Sequence, residues 1–189
     1  MAITRLGGAN AISGTIPQGN IANASLGAVT ALPAGVGGKV LQIQTTFKSS
    51  VSSITTNSDG FVDITGMSVA ITPSASSSKI LVQASILYSF DDDTYGSLGG
   101  IRFMRDSTGI GIGGQDYASG IVTGDGNSGV NIYVTVPLLF LDSPNTTSAT
   151  TYKLQVKNSI GGNKTFYVNA KKNGTNYGSS TITVMEIAG

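Results

Sequence analysis

The chain has 189 residues, with 11 Lys plus Arg against 10 Asp plus Glu, a formal net charge of +1, and neither Cys nor His. These counts exclude disulfides, thiolate zinc sites, cysteine nucleophiles and histidine general bases, and the near-neutral balance gives no field to steer the chain toward nucleic acid or anionic membranes. The 26 Gly, with abundant Ser, Thr and Asn, suit short strands and many turns better than long helices.

The opening MAITRLGGAN lacks the charged and then apolar pattern of a signal peptide, and no apolar run reaches the ~18 residues of a membrane span. No membrane insertion is expected. Residues 1–38 carry single apolar side chains, Ile12, Ile16, Ile21, Leu26 and Val29, spaced by Gly, Ala, Asn and Pro. They are too thin to form a core. A short helix over 20–29, capped by Asn20 and stopped before Pro33, has weak periodicity. Two readings stand: a disordered leader, or a segment that folds only against other subunits or a larger partner. The recurring isoleucines favour the second. Gly35, Gly37 and Gly38 mark a boundary, so residues 1–38 read as an attachment and oligomerisation segment and residues 39–189 as the folded domain.

Strand periodicity starts after Lys39. Over 40–47, Leu41, Ile43, Thr45 and Phe47 share one face and Gln42, Gln44 and Thr46 the other. Residues 49–58 read as a polar loop or weak strand. A short strand over 61–64 is broken by Gly66, and Met67, Val69 and Ile71 form the next run, ended by Pro73. Over 79–90, Ile80, Val82, Ala84, Ile86, Tyr88 and Phe90 fall on one parity. Asp91, Asp92 and Asp93 open a loop that runs to Gly100, and Ile101 and Phe103 begin another strand. Residues 108–129 form a long Gly-rich excursion.

The stretch 130–141, VNIYVTVPLLFL, is the strongest strand signal. Val130, Ile132, Val134, Val136, Leu138 and Phe140 form a wholly apolar parity that should enter a core, and Pro137 argues for an edge or a bulge. Strands over 151–158, 165–170 and 181–187 complete the chain. Eight or nine strands of unequal length, joined by tight and wide loops, specify an all-β antiparallel β-sandwich, and a jelly roll accounts for them better than a meander barrel. Leu87, Met104, Tyr133, Leu139, Leu141, Met185 and Ile187 lie off the main parity. Loops would cover some of them and a neighbouring subunit others.

Chemistry is sparse. The spacing of Asp91, Asp92, Asp93, Asp106, Asp116 and Asp125 is not that of a calcium loop, so no metal and no cofactor is expected. Glu186 is the one glutamate, and no carboxylate pair is set up for glycoside cleavage, so the chain does not read as an enzyme. The GIGIGG of 109–114 lacks the Lys-Ser/Thr and the strand–helix setting of a phosphate loop. Tyr95, Tyr117 and Tyr177 fall among Gly, Asn and Asp in loops. Such tyrosines stack on sugars and bond hydroxyls, or else anchor the loops. With Asp91, Asp92, Asp93 and Asp116 they are the receptor-contact candidates.

Three segments carry a resemblance: AISGTIPQGNIANASLG, the block GKVLQIQTTFKSSVSSITTNSDGFVDITGMSVAITPSASSSKILVQASI, and STITVMEIAG. With the YKLQVKN strand they resemble tail-fibre and related structural proteins of tailed phages, especially phages of marine bacteria and cyanobacteria. The likeness covers about half the chain, and residues 91–129 show no clear match. It implies a homotrimeric virion component on the tail or capsid surface, made in the host cytoplasm. Residues 1–38 would fix it to other virion proteins of the baseplate, tail or capsid. A β-rich head would then meet a host cell-surface glycan. A long fibre would have a shaft of repeats, and none is present. A short fibre, a baseplate or tail appendage, and a capsid decoration therefore all stand.

Overall fold

The computed structural model describes residues 39–57, 60–91, 98–113, 119–123, 133–158, 162–171 and 178–189. They contain eleven strands and no helix. These are β1 (Val40–Lys48), β2 (Ser52–Thr56), β3 (Val62–Ile71), β4 (Lys79–Asp91), β5 (Leu98–Arg105) and β6 (Thr108–Ile110). They continue as β7 (Ser119–Thr123), β8 (Tyr133–Asp142), β9 (Thr150–Asn158), β10 (Lys164–Val168) and β11 (Ser180–Ile187).

All pairings are antiparallel and fall into two sheets. Three pairs of strands act as single ribbons. β11 and β10 lie end to end along β4, β11 against 79–85 and β10 against 88–91. β1 and β2 lie in the same way along β11 and β10. β6 and β7 lie end to end along β5. Counted as ribbons in chain order, the first sheet runs 1-8-3-6 and the second 2-7-4-5. This is the jelly-roll arrangement of two facing four-stranded sheets.

The core lies between the sheets. Ile80, Val82, Ala84, Ile86 and Tyr88 of β4 meet Ile101 and Phe103 of β5 and Tyr152, Leu154 and Val156 of β9. In β8, Val136 and Leu138 are buried and Val134 and Phe140 pack against the cluster, as the apolar parity predicts. Val130 and Ile132 lie outside the described residues. β8 pairs only with β4 among the described strands, so Pro137, opposite Ser85, removes no ladder bond on the open edge.

The structure differs from the sequence-based expectation in four places. The polar stretch after β1 contains a true strand, β2, because Ile54 and Thr56 turn inward to the core. The runs on either side of Gly66 are one strand, β3. Its register against β9 slips between Asp63 and Ser68, and Gly66 takes the left-handed conformation (φ 81°) at the bulge. The Gly-rich excursion supplies two strands, β6 and β7, to β5. The fourth is the orientation of β1, while Met104, off the main parity, is buried, as expected of those off-parity residues that are covered.

β1 has an unexpected orientation. Its polar face points inward: Gln42 donates to Glu186 and to the Thr72 carbonyl, and Thr46 donates to the Ser68 carbonyl. Lys48 is buried, which lowers its pKa, and donates to the Ser50 hydroxyl at 3.0 Å. Leu41, Ile43 and Phe47 are consequently turned out of the domain.

Candidate functional site

Strand register shows how the outward side chains of the first sheet line up. Ile43 of β1 pairs with Met185 of β11, Met185 with Leu81 of β4, and Leu81 with Leu141 of β8. Paired residues share a face, so one apolar row crosses all four ribbons. The next row is Thr45, Thr183, Gln83 and Leu139, and the next is Phe47, Thr181, Ser85 and Pro137. The Thr45 and Thr183 hydroxyls bond each other along this surface. Leu139 is 67% exposed, Phe47 62%, Ile43 56% and Leu141 52%. These three rows contain no charged side chain. Lys79, at the rim, donates to the Ser143 hydroxyl at 2.9 Å.

The outer face of the second sheet is built differently. Lys153 and Gln155 of β9 both donate to Asp63 of β3, at 2.7 Å each. Burial raises the Asp63 pKa, but these two bonds and the Lys153 charge outweigh it and hold the carboxyl below its ordinary value. Arg102 donates to Gln155 at 3.0 Å and stacks 3.7 Å above the Phe61 ring, with the Lys157 ammonium 5.4 Å from the same ring. This is a solvated, charged surface.

Polar groups also tie the sheets together. Asp142, at the end of β8 and buried, accepts both carboxylate bonds from Arg105 of β5 at 2.9 Å and the Tyr152 hydroxyl of β9 at 2.8 Å. Burial first, and the neighbouring Asp142 second, push the Tyr152 phenol above its usual range. Glu186, fully buried, accepts from Gln42 at 2.6 Å, from the Ser74 amide and hydroxyl at 2.7 and 2.6 Å, and from the Ser78 hydroxyl at 2.7 Å. Burial raises its pKa, yet these bonds outweigh it and hold the carboxyl at about 2. Every donor to Glu186 is a neutral group that the fold needs to hold the 72–78 connection, so the residue is a structural clamp. Among the described residues, no group of three Asp, Glu, His or Cys is placed to hold a metal.

Of the receptor-contact candidates, Asp91 is the last residue of β4, in register with Thr165 of β10. Asp92, Asp93, Tyr95, Asp116, Tyr117 and Tyr177 lie outside the described residues, as do Ile12, Ile16, Ile21, Leu26 and Val29. Sequence reasoning did not find the Asp142–Tyr152–Arg105 clamp, although the parity of β8 continues through Leu138 and Phe140 to Asp142. A carboxylate on a core-facing parity is a signal that it has a buried partner. The inversion of β1 has no such local signal.

No protein-family model and no curated protein sequence matches the chain. Among solved structures, the chain is similar to one in T=1 particles derived from infectious bursal virus, with 16% identity, 78% of this chain and 36% of that chain covered, and a TM-score of 0.36. It is also similar to a chain of the infectious bursal disease virus Gt strain, with 14% identity, 78% and 38% covered, and a TM-score of 0.39. A third is the VP2 subviral particle of infectious bursal disease virus, with 14% identity, 78% and 37% covered, and a TM-score of 0.37. The chain spans little more than a third of the length of these solved chains. The jelly-roll assignment rests on the strand pairing itself.

Proposed function

We propose that this chain is a structural virion protein of a tailed phage, a short tail fibre or appendage that works as a homotrimer. Residues 1–38 attach it to other virion proteins, and the jelly-roll domain of residues 39–189 is presented to the host surface. Asp91, Asp92, Asp93, Tyr95, Asp116, Tyr117 and Tyr177 are the proposed contacts to a host glycan, and many weak contacts would add up through multivalency.

The observation that carries this reading is the uncharged, apolar outer face of the first sheet. A domain that works alone has no use for Ile43, Phe47, Leu139 and Leu141 in water, whereas a component of an assembly does. The resemblance of the leader, the 38–86 block and the terminal STITVMEIAG to phage tail-fibre proteins supports the same reading. A second reading, a decoration or tail joint that binds no receptor, is favoured by the same face, which speaks for assembly and says nothing of a glycan.

The first of two variants separates these readings, and the second tests the attachment role that both share. Tyr117→Ala with Tyr177→Ala is expected to weaken host-cell pull-down while leaving the far-ultraviolet circular dichroism unchanged. Unchanged pull-down by a folded variant removes the receptor contacts, and no pull-down by the wild type leaves the decoration reading. Deletion of residues 1–38 is expected to leave a folded domain that no longer enters particles; normal incorporation rules out the attachment role.

A further inference from the structure

The two outer faces of the sandwich act as controls for each other. They belong to one chain, have the same four-ribbon width, and differ in character. The second sheet presents Asp63, Arg102, Lys153 and Lys157, joined by hydrogen bonds and ring stacking. The first presents Ile43, Met185, Leu81 and Leu141 in one row, with Phe47, Leu139 and Pro137 among neutral Thr, Gln and Ser side chains in the two rows beside it, and no charge in the three rows. We infer that the outer face of the first sheet is the surface on which copies of this chain pack against one another. The inference rests on the self-assembly part of the function proposed above, and it names the surface responsible.

Three features commit the occupant to a copy of the same chain. First, the face offers no charge for a differently charged partner to read, and only uncharged surface can cover it without stranding a buried charge. The face itself is such a surface. Second, its exposed apolar side chains stand at its two margins. Leu41, Ile43 and Phe47 stand on β1 at one side, Leu139 and Leu141 stand on β8 at the other, and Met185 and Leu81 between them are half-buried. A margin on each side lets the β1 side of one copy meet the β8 side of the next, the head-to-tail contact that closes into a ring. Third, the size fits a contact between copies. The three uncharged rows, about 6.6 Å apart, across four ribbons at about 4.8 Å give roughly 400 Å² in projection. That is about half of the ~800 Å² that each partner gives to a standard interface, and in a closed ring every copy makes the contact twice.

The inversion of β1 supports this reading. Gln42 and Thr46 face inward because Glu186, the Thr72 carbonyl and the Ser68 carbonyl need donors there. The strand's apolar residues are then committed to the outside, and assembly returns them to an apolar setting.

The test uses the full chain. Light scattering is expected to give a multiple of the 19.2 kDa chain mass for the wild type, and 19.2 kDa for Leu139→Asp and for Ile43→Asp with the circular dichroism of the wild type. A folded Leu139→Asp and Ile43→Asp that keep the wild-type mass overturn the inference and leave self-assembly standing through another surface. A monomeric wild type overturns both.

Should these variants fail to fold, the absence of native cysteine provides a second measurement. Leu139→Cys is expected to react with a maleimide about tenfold more slowly than Lys153→Cys on the opposite face, because only the former is covered. Equal labelling rates overturn the inference. Slow labelling of Leu139→Cys in a monomer also overturns it, since another part of the same chain would then be the cover.

Discussion

The Ser180 hydroxyl donates to the side-chain carbonyl of Asn169 at 2.6 Å, at the junction where β10 gives way to β11. The same hydroxyl accepts from the Leu87 amide at 3.0 Å, and the Asn169 amide donates to the Leu87 carbonyl at 2.8 Å. The Asn169 side-chain nitrogen donates to the carbonyls of Lys48 and Ser50, at 2.8 and 3.1 Å, where β1 gives way to β2. Two buried side chains thus satisfy the main chain at the point where both composite ribbons are interrupted. Asn169 also has a φ of 60°, a conformation that Asn tolerates better than most residues.

Asn169→Ala strands two carbonyls and the Ser180 hydroxyl and places an alanine in the left-handed region. The expected loss is about 3 kcal/mol, read as a lower denaturant midpoint. Ser180→Ala removes the acceptor for the Leu87 amide and the donor to the Asn169 side-chain carbonyl, and is expected to lose about 2 kcal/mol.

Tyr88 and Tyr152, both fully buried, are expected to respond in opposite senses to loss of the hydroxyl. Tyr152→Phe takes a donor from the buried Asp142 and should destabilise by about 1–2 kcal/mol. The Tyr88 hydroxyl has no partner among the described residues, so Tyr88→Phe should be neutral or stabilising by about 1 kcal/mol. Burial, the leading cause in both, raises the two phenols above the usual range. The stability they contribute is complete below the ordinary phenol pKa of about 10. Above it the unfolded chain ionises first and stability falls. Absorbance titration should show both silent until the chain unfolds.

Glu186 gives a dependence at the acid end. Its folded pKa of about 2 lies below the ordinary glutamate value. The stability it contributes is therefore present above the ordinary value and lost as pH falls toward 2. That contribution is on the order of 3 kcal/mol. Glu186→Gln should be less stable than wild type at neutral pH and should flatten the fall in stability below about pH 4.5. Urea titrations of both proteins at several pH values test this.

Two glycines are predicted to resist alanine for different reasons. At Gly66, φ is 81° and a Cβ would sit 3.4 Å from the Lys48 ammonium, so the penalty is mainly conformational, about 1–2 kcal/mol. At Gly99 a Cβ would fall 2.4 Å from the ring edge of the buried Phe166. Overpacking of about 1–3 kcal/mol is expected there, and Phe166→Leu in the same chain should recover part of it. Thermal melts of the single and double variants distinguish the two mechanisms.

Much of the fold is legible in the alternation of β4, β8, β9 and β11, where apolar residues at every second position enter the core as their parity predicts. Periodicity shows that two faces exist and leaves open which one points inward. In β1 the apolar face lost to the hydrogen-bonding needs of Glu186, Thr72 and Ser68, which lie 22 to 144 residues away along the chain. β2 reads only as a loop or weak strand because a composite ribbon needs only Ile54 and Thr56 to complete it. Asn169 and Ser180 look like ordinary loop residues, since their main partners are backbone groups that carry no sequence signal. The apolar outer face was half-legible. Leu139, Leu141, Met185 and Ile187 stand off the main parity, but Ile43 and Phe47 join them only once the register is known.

The central claim is that this chain is an assembling structural component. Its most direct test is the solution mass of the full chain by light scattering over a range of concentrations. The account predicts three times the 19.2 kDa chain mass, held on dilution into the micromolar range. A mass of 19.2 kDa at every concentration would contradict it.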